Sequence, residues 1–589
     1  MKAQAEKEKI SLIGYIIVAI FFLLIMRLWQ LQILQGNEYR KISESNRLRI
    51  VRIPAPRGII FDRNHVPLVK NSAYFFASVI PGEFDHGKLP VLAKLLKMPA
   101  EELLARLSAS QATPFVPAKL KQGLSLKEIA YIEARKSDIP GLMIEAEVSR
   151  EYPYGELGAH LLGYLGKPSP SQLKEPSFKN IPPDMFVGQW GIEKLYDASL
   201  RGTPGQKIIE VNALGRQLRL LQERPPVKGD DLVISIDIDL QREAERAFGD
   251  RAGALVAIKP TTGEILGMVS KPSFDPNLFT RGMSREQWLS IAANKKNPML
   301  NRALQSQYPP GSTFKIVTAL AGLETGAITP DMKVDCRGGI LLGNRRFGCW
   351  RKEGHGILSL HRAIVESCDV YFYEVGRRVG IDRIAQYAAA LGLGQKTGIE
   401  LGRERQGVVP STAWKKETSG MPWFPGETLN AAIGQGYVAA TPLQLASMMS
   451  AVANGGLRYK PSFVVHSEPA IAGRLTANPY NLEIIRKGLF GVVNERSGTG
   501  WAAKSYLTTV SGKTGTAQVV ALGRGAGALH ERFQDHAWFV AFAPHEHPEI
   551  ALAVLVEHGG HGGAAAAPIA KTAIEAYLRP KPAPDTADH

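Results

Sequence analysis

The stretch YPPGSTFKI, residues 308–316, halts the chain with two prolines and a glycine, then sets a serine three residues ahead of a lysine on the threshold of an apolar run. In a helix beginning at Ser312, positions i and i+3 share a face, so the Lys315 amine is predicted to reach the Ser312 hydroxyl. A serine hydroxyl is a weak nucleophile at neutral pH until a base takes its proton. Lysine serves as that base if burial or nearby positive charge keeps it neutral. The free N–H groups of a helix N-terminus disfavour the ammonium form and can hold an oxyanion. Alone the spacing decides little, because S-x-x-K recurs by chance roughly two or three times in a chain this long. An N-cap serine before a surface lysine is the ordinary meaning.

Two later segments change its meaning. TVSGKTGTAQ (509–518) puts Lys513, Thr514, Gly515 and Thr516 in a predicted strand, where the glycine lets a ligand or another backbone approach. VESCDVYFYEVG (365–376) places Ser367 and Asp369 around one residue at a predicted helix start. S-x-x-K, S-x-D and K-T-G in that order are the pattern of penicillin-binding proteins and class A β-lactamases. Around them, LVISIDIDLQREAERAF reads as a strand entering a helix, and GALVAIKPTTGEILGMVS as a hairpin. Helical patterns occupy 316–323, 369–378, 441–453, 481–490 and 564–578, and strands return in TTVSGKTGTAQ, HAWFVAFAP and IALAVLVEH. This order predicts an α/β fold whose sheet is built from both ends of its domain.

At 589 residues the chain exceeds one ordinary core and predicts at least two domains. A formal charge of +16 points to an acidic partner. The basic residues are scattered, without a Lys/Arg block or an aromatic-basic module, so the composition indicates a membrane surface or anionic substrate and no nucleic acid. ISLIGYIIVAIFFLLIM, Ile10 to Met26, carries no charge and is long enough to span hydrocarbon, with Trp29 at a plausible interface. No small-x-small site follows it, so an uncleaved anchor is expected rather than a signal peptide. Lys2, Lys7 and Lys9 before the span, partly offset by Glu6 and Glu8, place a short tail in the cytoplasm and the body outside.

The chain resembles class B penicillin-binding proteins, specifically the elongation-type penicillin-binding protein 2 family of D,D-transpeptidases. Besides the three motifs, the likeness covers the anchor, PAPRGIIFDRN (54–64), REYPYGELGAHLLGYLG (150–166), GIEKLYDASLRGTPG (191–205), SIDIDLQ and LNAAIGQGYVAATPLQLA (429–446). Asp369, where most relatives carry asparagine, fits the elongation type. The resemblance implies a cytoplasmic tail at 1–9, a single transmembrane helix at 10–30 and a mixed, extended pedestal at 31–225. A penicillin-binding, serine β-lactamase-like transpeptidase domain with a central antiparallel sheet flanked by helices follows at 226–579, and a disordered tail at 580–589. It implies an enzyme of the bacterial inner membrane, with its catalytic domain in the periplasm. Ser312 attacks the D-Ala-D-Ala carbonyl of a peptidoglycan stem peptide, Lys315 takes the proton, and Ser367 and Lys513 pass it to the leaving amine. The N–H groups of Ser312 and Thr516 form the oxyanion hole, and Thr514 and Thr516 hold the terminal carboxylate. Asp369 and Gly515 complete the site, and β-lactams would trap Ser312. A RodA-like SEDS glycosyltransferase and an MreC-like scaffold are the implied partners.

All three cysteines fall between 336 and 368, with a histidine among them: Cys336, Cys349, His355 and Cys368, spaced C-x12-C-x5-H-x12-C. Three thiolates and an imidazole make a closed tetrahedral zinc set, although the short C-x2-C knuckle is missing. A Cys336–Cys349 disulfide and unpaired thiols are the alternatives, and His361 is a substitute ligand. A metal here would be structural, tying the 336–355 loop to Cys368 between Ser367 and Asp369; no organic cofactor is expected. HEHPEI (545–550) reads as a solvated turn and EHGGHGG (557–563) as a flexible connection. Glu427 and Asn430 resemble the deacylating pair of class A β-lactamases, but at a spacing of three instead of four. The anchor and pedestal argue against a β-lactamase. A D,D-carboxypeptidase shares the acylation chemistry, and a membrane-tethered β-lactam sensor would need an output domain that the short tail does not offer.

Overall fold

In a computed structural model of the chain, GALVAI and IALAVLV lie side by side although most of the second half of the sequence separates them. The structure describes residues 2–37, 39, 47–109, 115–178, 181–183, 185–212, 217–280, 282–465, 468–518 and 534–580, with side chains from residue 12 onward. The expected tail at 580–589 lies outside this set except for Pro580. By internal packing the chain forms two units. One comprises Met1–Arg57, Asn71–Ser149 and Arg201–Gly229; the other comprises Gly58–Lys70, Arg150–Leu200 and Asp230–His589.

The first unit opens with helix α1 (Lys2–Trp29). Its apolar stretch Leu12–Leu34 has a mean hydropathy of 2.5, is nowhere buried, and is long and apolar enough to cross a membrane. This apolar stretch overlaps the expected 10–30 and runs on to Leu34, in a helix that already begins at Lys2. The same unit contains an antiparallel sheet of Leu48–Ile53, Gly205–Val211 and Gln217–Arg224. A separate small core gathers Leu92, Leu96, Leu103, Leu107, Leu120 and Ile132.

In the second unit, α2 (Ile238–Phe248) starts where the Asp237 carboxylate accepts from Asp239 N and Leu240 N. Then come β1 (Gly253–Ile258), β2 (Ile265–Lys271), α3 (Lys315–Glu324), α4 (Asp369–Val379), α5 (Pro442–Ala453) and α6 (Pro479–Asn494). β3 (Ser511–Ala517), β4 (His536–Ala543), β5 (Ile550–Val556) and α7 (Ala567–Leu578) complete it. The sheet order is β2-β1-β5-β4-β3, antiparallel throughout, so β1 and β5 close it from opposite ends of the domain as the pattern predicts.

Both sheet faces are covered, which is why its strands read as continuous apolar runs rather than alternating ones. Leu255, Ala257, Leu552 and Val554 join one core with Ala244 and Phe248 of α2 and Ile569 and Ile574 of α7. Ala254, Val256, Ala553 and Leu555 join the other core with Leu445, Met448 and Met449 of α5. β3 is left at the sheet edge, where it flanks the site.

By internal packing, Gly58–Lys70 and Arg150–Leu200 group with the five-stranded sheet rather than with the rest of the expected pedestal. Their polar residues explain why. Buried Asp62 accepts from Asn64 N, Val66 N and Ile238 N, fastening RGIIFDRN to the start of α2. Arg150 Nε donates to Glu193 Oε1 at 2.6 Å and its Nη1 to Gly58 O at 2.7 Å, with both side chains out of solvent. Replacing Arg150 by methionine strips that carboxylate of its guanidinium in a dry environment. It is expected to lower the stability of this unit by about 3–5 kcal/mol, read as a lower denaturation midpoint.

Candidate active site

The serine segment is set by close approaches that only glycine permits. Gly311 has φ of +55°, and a Cβ there would lie 2.5 Å from Thr516 O. Gly311 N donates to Gly434 O at 3.0 Å, and Gln435 Nε2 donates to Thr516 O at 2.9 Å, so the turn and β3 are held together through one loop. Trp538 Nε1 fixes Pro309 O at 3.0 Å. Ser312 is partly exposed between these walls, in a 3-10 turn (Gly311–Phe314), and α3 begins only at Lys315.

The hydrogen bonds of the Lys315 amine run to the S-x-D turn. Its Nζ donates to Asp369 Oδ1 at 2.7 Å, Ser367 O at 2.8 Å and Ser367 Oγ at 3.2 Å, and these are its hydrogen bonds among the described residues. A carboxylate with two oxygens is a stronger acceptor than a hydroxyl for a buried ammonium. Lys513, fully buried in β3, donates to the same Ser367 Oγ at 2.8 Å and to Thr514 O at 3.1 Å. Burial, and then the neighbouring Lys315 charge, push Lys513 well below the usual lysine range, with Asp369 opposing. A neutral amine has N–H groups for both of those bonds and keeps a lone pair. Both lone pairs of Ser367 Oγ are occupied by the two amines, so its own proton is free to be donated.

Ser367 itself has φ of +55°, a left-handed conformation rare for a side chain with a Cβ. Asp369 is the first residue of α4 and accepts Trp350 N on Oδ2 at 2.9 Å. Thr514 Oγ1 lies 2.8 Å from Thr499 Oγ1. A Cβ at Gly515 would press within 2.9 Å of Pro310 O. The structure therefore brings together Ser312, Lys315, Ser367, Asp369, Lys513, Thr514, Gly515 and Thr516.

Several supports escape sequence reasoning. Glu557 accepts from Arg302 Nε at 3.0 Å and from Tyr308 OH at 2.5 Å, anchoring the chain just before Ser312. Gly562 packs so closely that a Cβ would meet Trp538 O at 2.1 Å and Gly515 O at 2.5 Å. EHGGHGG is thus a fitted wedge behind β3 rather than a loose connection, and its glycines were the available signal. Glu427 is bound to buried Lys415 and to Phe424 N, which occupies it as a helix cap rather than a free base.

The cysteines gather next door. The ligating atoms of Cys336, Cys349, His355 and Cys368 all lie within 4.8 Å of one another, and all four residues are buried. His355 Nδ1 is 3.5 Å from both Cys336 Sγ and Cys349 Sγ. The three thiols are free, so no Cys336–Cys349 disulfide forms, and exposed His361 pairs with Glu495 at 2.7 Å instead of joining the cluster. The Cys368 thiol next to it is the main cause that holds the Cys349 thiol far below its ordinary value, while the same contact pushes Cys368 up. Four such donors fit zinc, whose sulfur ligands would sit roughly 3.8 Å apart around a tetrahedral ion.

Comparison with known proteins agrees with this geometry. The penicillin binding protein transpeptidase domain family matches residues 253–575, and the penicillin-binding protein dimerisation domain family matches 52–234. The peptidoglycan D,D-transpeptidase MrdA of Acinetobacter baumannii is 37% identical, with 96% of this chain and 86% of that protein covered. Its Escherichia coli K12 counterpart is 32% identical, covering 92% and 89%. Among solved structures, Helicobacter pylori PBP2 in complex with MreC aligns with a TM-score of 0.77 and 31% identity over 90% of this chain and 98% of that one. Pseudomonas aeruginosa PBP2 in complex with WCK 5153 aligns at 0.67 and 33%, over 92% and 100%. With the transpeptidase family matched over more than half its length and such relatives along nearly all of it, the chain belongs to the penicillin-binding protein transpeptidases, in the elongation-type penicillin-binding protein 2 group.

Proposed function

We propose that this peptidoglycan D,D-transpeptidase works through an acyl-enzyme on Ser312, with protons handled by Lys315, Ser367 and Lys513. The observation that carries this reading is the single Ser367 hydroxyl held between two lysine nitrogens, at 3.2 and 2.8 Å. Ser367 Oγ takes a proton from Lys315 as the hydroxyl turns its own proton to the lone pair of Lys513, so the charge moves without leaving the site. Neutral Lys315 then accepts the Ser312 proton as Oγ attacks the carbonyl between the last two D-alanines. The N–H groups of Ser312 and Thr516 stabilise the oxyanion, and Thr514 and Thr516 hold the terminal carboxylate. Ser367 donates to the departing amine and is reprotonated from Lys513. D-Alanine leaves, and the amine of a second stem peptide takes the acyl group. Glu427, the residue that resembles a deacylating base, is committed to Lys415, which favours transfer over hydrolysis.

The protein is membrane-anchored; we place its N-terminus in the cytoplasm and its catalytic unit in the periplasm of the inner membrane. β-Lactams acylate Ser312, a reading supported by the match to the penicillin binding protein transpeptidase domain family. An MreC-like scaffold and a RodA-like glycosyltransferase are assigned as partners of cell elongation. The complex with MreC supports the first, and a neighbour from a peptidoglycan synthase complex of polymerization and crosslinking supports the second. Cys336, Cys349, His355 and Cys368 would hold a zinc ion whose contribution is structural, because four protein ligands leave no open position.

Incubation with a penicillin is expected to add one stable adduct by intact mass, mapping to Ser312 and absent in Ser312→Ala; an adduct elsewhere would falsify the assignment. Asp369→Asn removes a charge-assisted bond to Lys315 and is expected to slow acylation by on the order of ten- to a hundredfold. The carboxylate is what raises Lys513 against burial and the Lys315 charge, so its loss should move the acid limb of the acylation profile to lower pH. A limb moving upward would contradict the proton route. Native mass spectrometry is expected to show one zinc per chain, and His355→Ala to lose both zinc and thermal stability.

A further inference from the structure

Trp350 follows Cys349 on the 336–355 loop, and the residue is 58% exposed. Its two N–H groups nevertheless turn inward. Trp350 N donates to Asp369 Oδ2 at 2.9 Å, and the indole Nε1 donates to Ser367 O at 3.1 Å and Glu366 O at 3.2 Å. The groups it holds are the same two that Lys315 holds, Asp369 and the Ser367 carbonyl. Each carboxylate oxygen thus has its own donor, and the Ser367 carbonyl receives one bond from the lysine and one from the indole.

That duplication matters because Ser367 is strained. A positive φ on a residue with a Cβ costs roughly 1–3 kcal/mol and persists only where its surroundings over-determine it. Relaxation to ordinary φ would swing Oγ away from both lysines. Trp350 is itself held in place: Cys349 N donates to Gly338 O at 3.0 Å, Tyr373 OH donates to Gly348 O at 3.0 Å, and the indole packs edge-on against His355 at 5.4 Å. None of these bonds runs through an ion.

We infer that Trp350 is a positioning residue for the acylation step, fixing the Ser367–Asp369 turn from the loop side so that Ser367 Oγ stays between Lys315 and Lys513. Beyond the general bracing expected of a metal, this assigns the coupling to one side chain and one donor atom. It rests on the proton route proposed above, and the two fail differently: a wrong route misplaces the adduct or the pH limb, whereas a wrong Trp350 assignment leaves the variant's rate unchanged.

The test is the acylation kinetics of the full chain with a fluorescent penicillin, in Trp350→Phe and with benzothienylalanine at position 350, which keeps the ring shape and removes only the indole N–H. Both substitutions retain the backbone donor to Asp369. The expected result is a maximal acylation rate lowered about three- to tenfold in both, with penicillin affinity before acylation, thermal midpoint and zinc content unchanged. An isostere that acylates at the wild-type rate overturns the proposal, as does a rate loss that only tracks a loss of thermal midpoint or zinc.

Discussion

Two lysine nitrogens converge on one hydroxyl, and much of the catalytic unit is arranged to make that convergence tolerable. Bringing Lys315 and Lys513 together in a dry site sets like charges against each other, and the structure answers with one carboxylate, Asp369, and a depressed Lys513. Asp369 offsets one positive charge, while burial and the Lys315 charge pull Lys513 toward its neutral form. Ser367 can bridge the two only by holding a left-handed backbone between Ile364 and α4. Each element that meets this turn supplies a donor to it: α3 gives Lys315, β3 gives Lys513, and the cysteine loop gives Trp350.

The sheet supplies the rigidity that this requires. β3 is an edge strand, which leaves one side free for an extended substrate, but its other side is fixed to β4 and its end is pressed by Gly311, Pro310 and Gly562. An edge strand alone would be mobile. Here two backbone segments, 310–311 and the turn at Gly562, meet it at distances that exclude a Cβ, so small shifts are resisted by backbone rather than by adaptable side chains.

Much of this was legible beforehand. S-x-x-K, S-x-D and K-T-G are local, and their spacing carries the chemistry of each segment; the continuous apolar runs of β4 and β5 announce a sheet buried on both faces. What the sequence could not give was direction. Helical periodicity puts Lys315 on the Ser312 face, but the carboxylate and carbonyl that hold its amine come from Asp369 and Ser367, far along the chain. The same holds for the pedestal segments, whose likeness to relatives was plain while their packing with the sheet depended on the buried Asp62 and the Arg150–Glu193 pair. Glu557 and Trp350 bore no motif at all. Each acts through a partner that only the folded chain supplies.

The pairing of β1 with β5 has a consequence for how the molecule is made. Gly253 and Val556 are neighbours in the sheet but stand roughly 300 residues apart, so the core hairpin of β1 and β2 emerges from the ribosome with one edge unmatched and must wait for nearly the whole domain. Until the last strands arrive, that edge is an open template for pairing with other chains. Assembly of the catalytic unit is therefore gated by completion of the polypeptide, and a truncated chain that has every motif through S-x-D still lacks a sheet to mount them on.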